Sequence, residues 1–209
     1  MNTFQHPQWG ILITPNKCGS TYAQHMIPKQ YHVGKHDLSI KSNTIIWGIV
    51  RDPVSWYVSG WRYAKSHLIA EARQMNYNLN FDDHLEYCIE QKEQQKNTSR
   101  MYNQFDRHTW YNPLQQCLDT TLRVNKLIKL ENQSRYNQVI EFFSNGKEPE
   151  DPKNVNDGTK SSRHGSEYTP MPELTGRAKK LLYHLDDWSA RAGYNLDESI
   201  KNYINTLCY

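Results

Sequence analysis

Two short stretches, each at the end of an apolar run, constrain this chain more than anything else in it. Ile11-Leu12-Ile13 is followed by Pro15-Asn16-Lys17-Cys18-Gly19-Ser20-Thr21, and Ile45-Ile46-Trp47-Gly48-Ile49-Val50 by Arg51-Asp52-Pro53. A strand that runs into a glycine- and hydroxyl-rich turn, with a lysine in it and a helical pattern beyond, offers an anion backbone N–H groups, hydroxyls and one cation. The second stretch ends in an arginine and a proline suited to the first turn of a helix, and Ser59 stands eight positions after Arg51. Two anion sites at two strand ends suit a ligand with two separate phosphate groups.

Short runs rich in Ile and Val mark residues 10–14 and 45–51 as buried strands, and Val124 to Leu130 as a third. A short strand near Tyr31–Val33 is a further candidate. Between them run helical patterns from Gly19 to Ile27, Pro53 to about Gln74, Phe81 to about Gln95, Asn132 to Phe143 and Glu173 to Ala192. Strands that alternate with helices predict an α/β fold, a central parallel sheet flanked by helices, with ligands at the C-terminal strand ends. At 209 residues the chain is long enough for one such domain, spanning 1–209. The stretch 144–172 collects Asn145-Gly146, Pro149, Pro152, Asp157-Gly158, Gly165, Pro170 and Pro172, and reads as a flexible loop.

The order Lys-x-Gly-Ser-Thr differs from the nucleoside-triphosphate loop G-x-x-x-x-G-K-[ST], where the lysine follows the last glycine. That disfavours a kinase or NTPase. Lys17, Gly19, Ser20, Thr21, Arg51, Pro53 and Ser59 instead resemble, position by position, the sulfotransferases that use 3′-phosphoadenosine 5′-phosphosulfate. Softer likenesses to the carbohydrate sulfotransferases are Gly34-Lys35-His36, Leu127-Ile128-Lys129-Leu130-Glu131, and Leu185-Asp186-Asp187-Trp188 with Gly193-Tyr194.

The resemblance implies a P-loop-like sulfotransferase architecture and a role for each matched residue. The loop Lys17, Cys18, Gly19, Ser20 and Thr21 would hold the 5′-phosphosulfate, with Lys17 catalytic at the leaving phosphate. Arg51 and Ser59 would hold the 3′-phosphate. In such enzymes a basic, glycine-containing loop late in the chain closes over that phosphate, which makes Lys160 and Arg163 further cofactor ligands. An acceptor hydroxyl needs a base, and histidine suits neutral pH. Several carbohydrate sulfotransferases place their histidine between the two phosphate motifs, so the resemblance implies His36 as the base, with His32 in the same segment as its reserve. The absence of glutamate from residues 16 to 50 strengthens the histidine choice. The expected products are a sulfated acceptor, a small molecule or glycan, and adenosine 3′,5′-bisphosphate; no metal is required. The alternative is a noncatalytic adenosine-bisphosphate-binding or interaction protein.

Composition limits the other classes. A net charge of +3 gives no field of the kind a nonspecific nucleic-acid binder needs, so no nucleic-acid partner is expected. The 4 cysteines lack C-x-x-C spacing and read as reduced thiols; Cys18, inside the anion loop, is a candidate for oxidation or alkylation. No apolar run is long enough to span a membrane, and with the Met1 start a cytoplasmic enzyme is expected.

Overall fold

A computed structural model describes residues 2–15, 17–33, 43–67, 80–97, 124–147 and 170–208. Among these, four strands form one open sheet: β1 (Asn2–His6), β2 (Gly10–Thr14), β3 (Ile46–Val50) and β4 (Lys126–Lys129), in that order across it. Six α-helices accompany them: α1 (Ser20–Met26), α2 (Pro53–His67), α3 (Phe81–Asn97), α4 (Gln133–Phe143), α5 (Gly176–Leu185) and α6 (Leu196–Leu207). Contacts divide the chain into two compact units, Met1–Asp52 with Pro113–Val155 and Pro53–Asn112 with Asn156–Tyr209.

The fold is α/β as expected, but the sheet is mixed. β2, β3 and β4 are parallel, whereas β1 pairs antiparallel with β2 from Asn2↔Thr14 to His6↔Gly10. β1 had no sequence expectation because Asn2-Thr3-Phe4-Gln5-His6 holds one strongly apolar residue. Its neighbour makes it a strand, since a turn at 7–9 returns the chain along β2. The turn ends at Gly10, whose φ is +87°. A Cβ there would lie 2.2 Å from the Ile45 carbonyl oxygen, the same oxygen that accepts from Ile11 N–H at 2.9 Å. Near Tyr31–Val33, where a strand was a candidate, there is a 3₁₀ turn (Lys29–Tyr31) followed by one bridge, Phe4↔His32.

Alternation along the strands sorts the core of the first unit. Ile11, Ile13 and Ile46 form a buried cluster with Val124 packed against it. Trp47, one residue along from Ile46, turns to the opposite face, where its ring meets Phe142 of α4. Tyr136, Val139, Ile140 and Phe143 are the buried stripe of α4, at helical spacing. Each such side chain withdrawn from water contributes about 1.5–3 kcal/mol. Asn132 caps this helix by accepting from Arg135 N–H at 3.1 Å.

Among the described residues, the second unit is built of helices. Trp56 and Tyr57 of α2 are fully buried, Trp56 set edge-on to Trp188 at 6.3 Å, and Trp61 meets Phe81 of α3. The pattern from Glu173 to Ala192 predicts one helix, but α5 ends at Leu185. There the Asp186 carboxylate accepts from Ser189 N–H at 3.0 Å, a turn that competes with helix continuation. Lys92 of α3 completes that helix end: its ammonium donates to the carbonyls of His184 (3.3 Å) and Leu185 (3.1 Å) and pairs with Asp187 at 3.0 Å. α6 begins at the Asn195 cap and buries Leu196, Ile200 and Tyr203.

Candidate functional site

The loop between β2 and α1 is built on two left-handed residues. Lys17 has φ +64° and Gly19 φ +74°. Such a conformation is costly for a lysine, and backbone strain of this kind concentrates at ligand-binding turns. Cys18 between them is fully buried, its N–H donating to the Pro15 carbonyl at 3.1 Å. The loop therefore turns its cysteine inward and leaves Lys17, Gly19 and Ser20 half-buried and Thr21 exposed. The first N–H groups of α1 have no partner within the helix itself, as at any helix start.

Arg51, at the end of β3, reaches the same loop. Its guanidinium donates to the Lys17 carbonyl at 3.2 Å. Two sequence motifs 34 residues apart thus meet at the C-terminal edge of the parallel strands. Burial, and then the Arg51 charge, lower the Lys17 pKa from its ordinary 10.5 to about 7. A phosphate seated beside both cations would oppose the second effect and restore the lysine's charge.

The connection from β4 to α4 braces both motifs. Glu131 accepts from Asp52 N–H at 2.8 Å, which fixes the backbone immediately after Arg51. The Tyr136 hydroxyl donates to the Gly19 carbonyl at 2.9 Å. A Cβ on residue 19 would lie 2.5 Å from that hydroxyl oxygen and 3.1 Å from Leu130 Cδ1. Gly19 is thus required twice, by its φ and by its seat. Tyr136 was legible in the sequence only as one apolar position of a helical stripe; nothing in the pattern says where its hydroxyl goes.

Among the expected site residues, Lys17, Cys18, Gly19, Ser20, Thr21 and Arg51 fall on this loop and strand end. Ser59 lies half-buried on α2 in the second unit. His36, Lys160 and Arg163 lie outside the described residues. His32, the reserve base, has its Nε2 2.9 Å from the Ile27 carbonyl oxygen, and its ring meets Phe4 edge-on at 4.9 Å. Among the described residues no cluster of three His, Cys, Asp or Glu side chains is arranged for a metal ion, and no helix is long and apolar enough to cross a membrane.

No protein-family model, curated protein or solved structure matches the chain. The loop and its chemistry stand by themselves as the basis for a functional reading.

Proposed function

We propose that the chain is a sulfotransferase of P-loop-like architecture, moving a sulfuryl group from 3′-phosphoadenosine 5′-phosphosulfate to an acceptor hydroxyl, such as that of a carbohydrate. The observation that carries this reading is the meeting of Arg51 with the Lys17 loop at 3.2 Å, two cationic motifs on one sheet edge. In this reading the loop from Lys17 to Thr21 holds the 5′-phosphosulfate. Arg51 and Ser59 hold the 3′-phosphate, with Lys160 and Arg163 covering it.

The chemistry asks little of the protein beyond positioning and charge. The acceptor oxygen attacks sulfur as the bond from sulfur to the bridging oxygen breaks, and adenosine 3′,5′-bisphosphate leaves. Lys17 neutralises the charge that grows on the departing phosphate. His36 takes the acceptor's proton. The reading places the enzyme in the cytoplasm, a compartment that keeps thiols such as those of Cys18, Cys88 and Cys208 reduced.

Calorimetry with adenosine 3′,5′-bisphosphate, AMP and ATP, without Mg²⁺, tests the reading. The bisphosphate is expected to bind most tightly, and Arg51→Ala to weaken it far more than AMP. Loss of a charge-assisted phosphate contact costs about 1.5–3 kcal/mol. Equal affinity for bisphosphate and AMP removes the 3′-phosphate site. Bisphosphate binding without transfer to any acceptor makes the chain a noncatalytic binder.

A further inference from the structure

The Gly19 carbonyl accepts twice. Ala23 N–H donates to it at 3.0 Å as the first bond of α1, and the Tyr136 hydroxyl adds a second bond at 2.9 Å, using both lone pairs. The carbonyl and the following N–H of a trans peptide point in opposite directions. An oxygen held toward Tyr136 therefore sends the Ser20 N–H away from it. Tyr136 is itself held in place: it follows the Asn132 cap, its N–H donates to the Asn132 carbonyl at 2.9 Å, and its hydroxyl end reaches the loop.

We propose that Tyr136 is the positioning residue of the Lys17 loop, setting through the Gly19 carbonyl the direction in which the Ser20 amide meets the 5′-phosphate of the ligand. This rests on the nucleotide reading of the loop and adds a residue that the sequence motifs do not contain. The role needs a hydroxyl that keeps its proton. Burial, with Tyr22 and Cys18 nearby, pushes the phenol's pKa well up, so Tyr136 remains a donor across the physiological range. It also separates two tasks within one corner of the fold. Tyr136 acts on the 5′ end of the ligand, whereas Glu131, on the Asp52 N–H, acts beside Arg51 and the 3′ end.

Tyr136→Phe tests this, because it keeps the ring that fills the core and deletes only the donor. Adenosine 3′,5′-bisphosphate, AMP and adenosine 3′-phosphate are titrated against parent and variant. In parallel, alkylation of Cys18 by iodoacetamide is followed by mass spectrometry as a readout that needs no ligand. Affinities for bisphosphate and AMP are expected to fall by a common factor, about three- to tenfold, the loss of one hydrogen bond. The affinity for adenosine 3′-phosphate is expected to hold, and Cys18 to react several times faster at unchanged helix content. An equal fall for all three nucleotides assigns Tyr136 a global structural role and overturns the proposal. So do parental affinities together with parental Cys18 reactivity. If the parent binds none of the three, the nucleotide reading fails, and so does Tyr136's part in it; faster Cys18 alkylation in the variant then still shows that Tyr136 holds the loop.

Discussion

The guanidinium of Arg51 rests on the carbonyl of Lys17, so each anion motif is part of the other's support. An arginine that donates to the loop backbone stays beside a lysine whose charge it disfavours. The arrangement leaves the pair with unspent electrostatic energy that an anion releases. This has a measurable consequence in protons.

Lys17 is expected to take up a proton when a phosphate ligand binds. In the ligand-free fold its pKa is about 7, below the ordinary 10.5 that it regains on unfolding. Between these values the unfolded chain carries more protons than the folded one, so stability without ligand rises with pH across that window. A bound nucleotide raises the folded pKa and flattens the rise. Calorimetry in buffers of different ionisation enthalpy, midway between the two values, should show net proton uptake on binding adenosine 3′,5′-bisphosphate. Lys17→Met should abolish the uptake, and should depress transfer more than affinity, since charge on the leaving phosphate grows in the transition state.

His36→Ala is expected to reduce transfer by on the order of 10²–10⁴ while bisphosphate affinity and thermal stability remain those of the parent. His32→Ala should do the reverse. Its ring nitrogen lies within hydrogen-bond distance of the Ile27 carbonyl oxygen and its ring lies against Phe4, so melting temperature falls while the rate of the folded fraction holds. Rates normalised to folded protein, measured beside thermal melts, separate the two. An inactive but stable His32 variant would reassign the base.

His84 makes the second unit sensitive to acid. It is buried on α3 with its Nε2 3.8 Å from the Cys88 sulfur, and burial lowers its pKa from 6.5 to about 4. The unfolded chain protonates first as pH falls, so the stability tied to the neutral ring is complete above pH 6.5 and is lost down to pH 4. The loss amounts to about 3 kcal/mol over that range. Urea midpoints across the range should fall for the parent and stay flatter for His84→Leu.

Gly19→Ala combines a left-handed backbone with a Cβ 2.5 Å from the Tyr136 oxygen. It is expected to cost about 1–3 kcal/mol of stability and to weaken nucleotide binding together with it. The melting curve checks the first effect, and AMP titration of the folded variant the second. Gly146→Ala, whose Cβ meets nothing within 4 Å, isolates the cost of positive φ alone.

The strands at 10–14 and 45–51 were legible because parallel, doubly covered strands must be apolar along their length, and Ile11-Leu12-Ile13 and Ile45 to Val50 are. The loop after β2 was legible because glycine, lysine and hydroxyls cluster where a strand meets a helix. β1 was not, since its pairing with β2 overrides a polar local sequence. The break at Leu185 turned on one aspartate side chain choosing the Ser189 amide over solvent, which helical periodicity does not register. α6 was within reach, for Leu196, Ile200 and Tyr203 repeat at helical spacing behind an asparagine cap. The braces from Glu131 and Tyr136 were out of reach, because they join residues 79 and 117 positions apart.

Between β3 and β4 the chain leaves the first unit at Asp52, builds α2 and α3 of the second, and returns at Pro113. Neither unit is a continuous stretch of chain. A nascent chain that has just emerged through Thr14 can zip β1 onto β2 at once, a local event. β4 must instead find β3 across some 75 residues, most of which belong to another body, the slow kind of pairing. The helices of the second unit wait longer still, since α5 and α6 are made last. Synthesis halted near Val155 would yield the four described strands with Lys17 and Arg51, while Trp56 of α2, deprived of Trp188, would be open to aggregation.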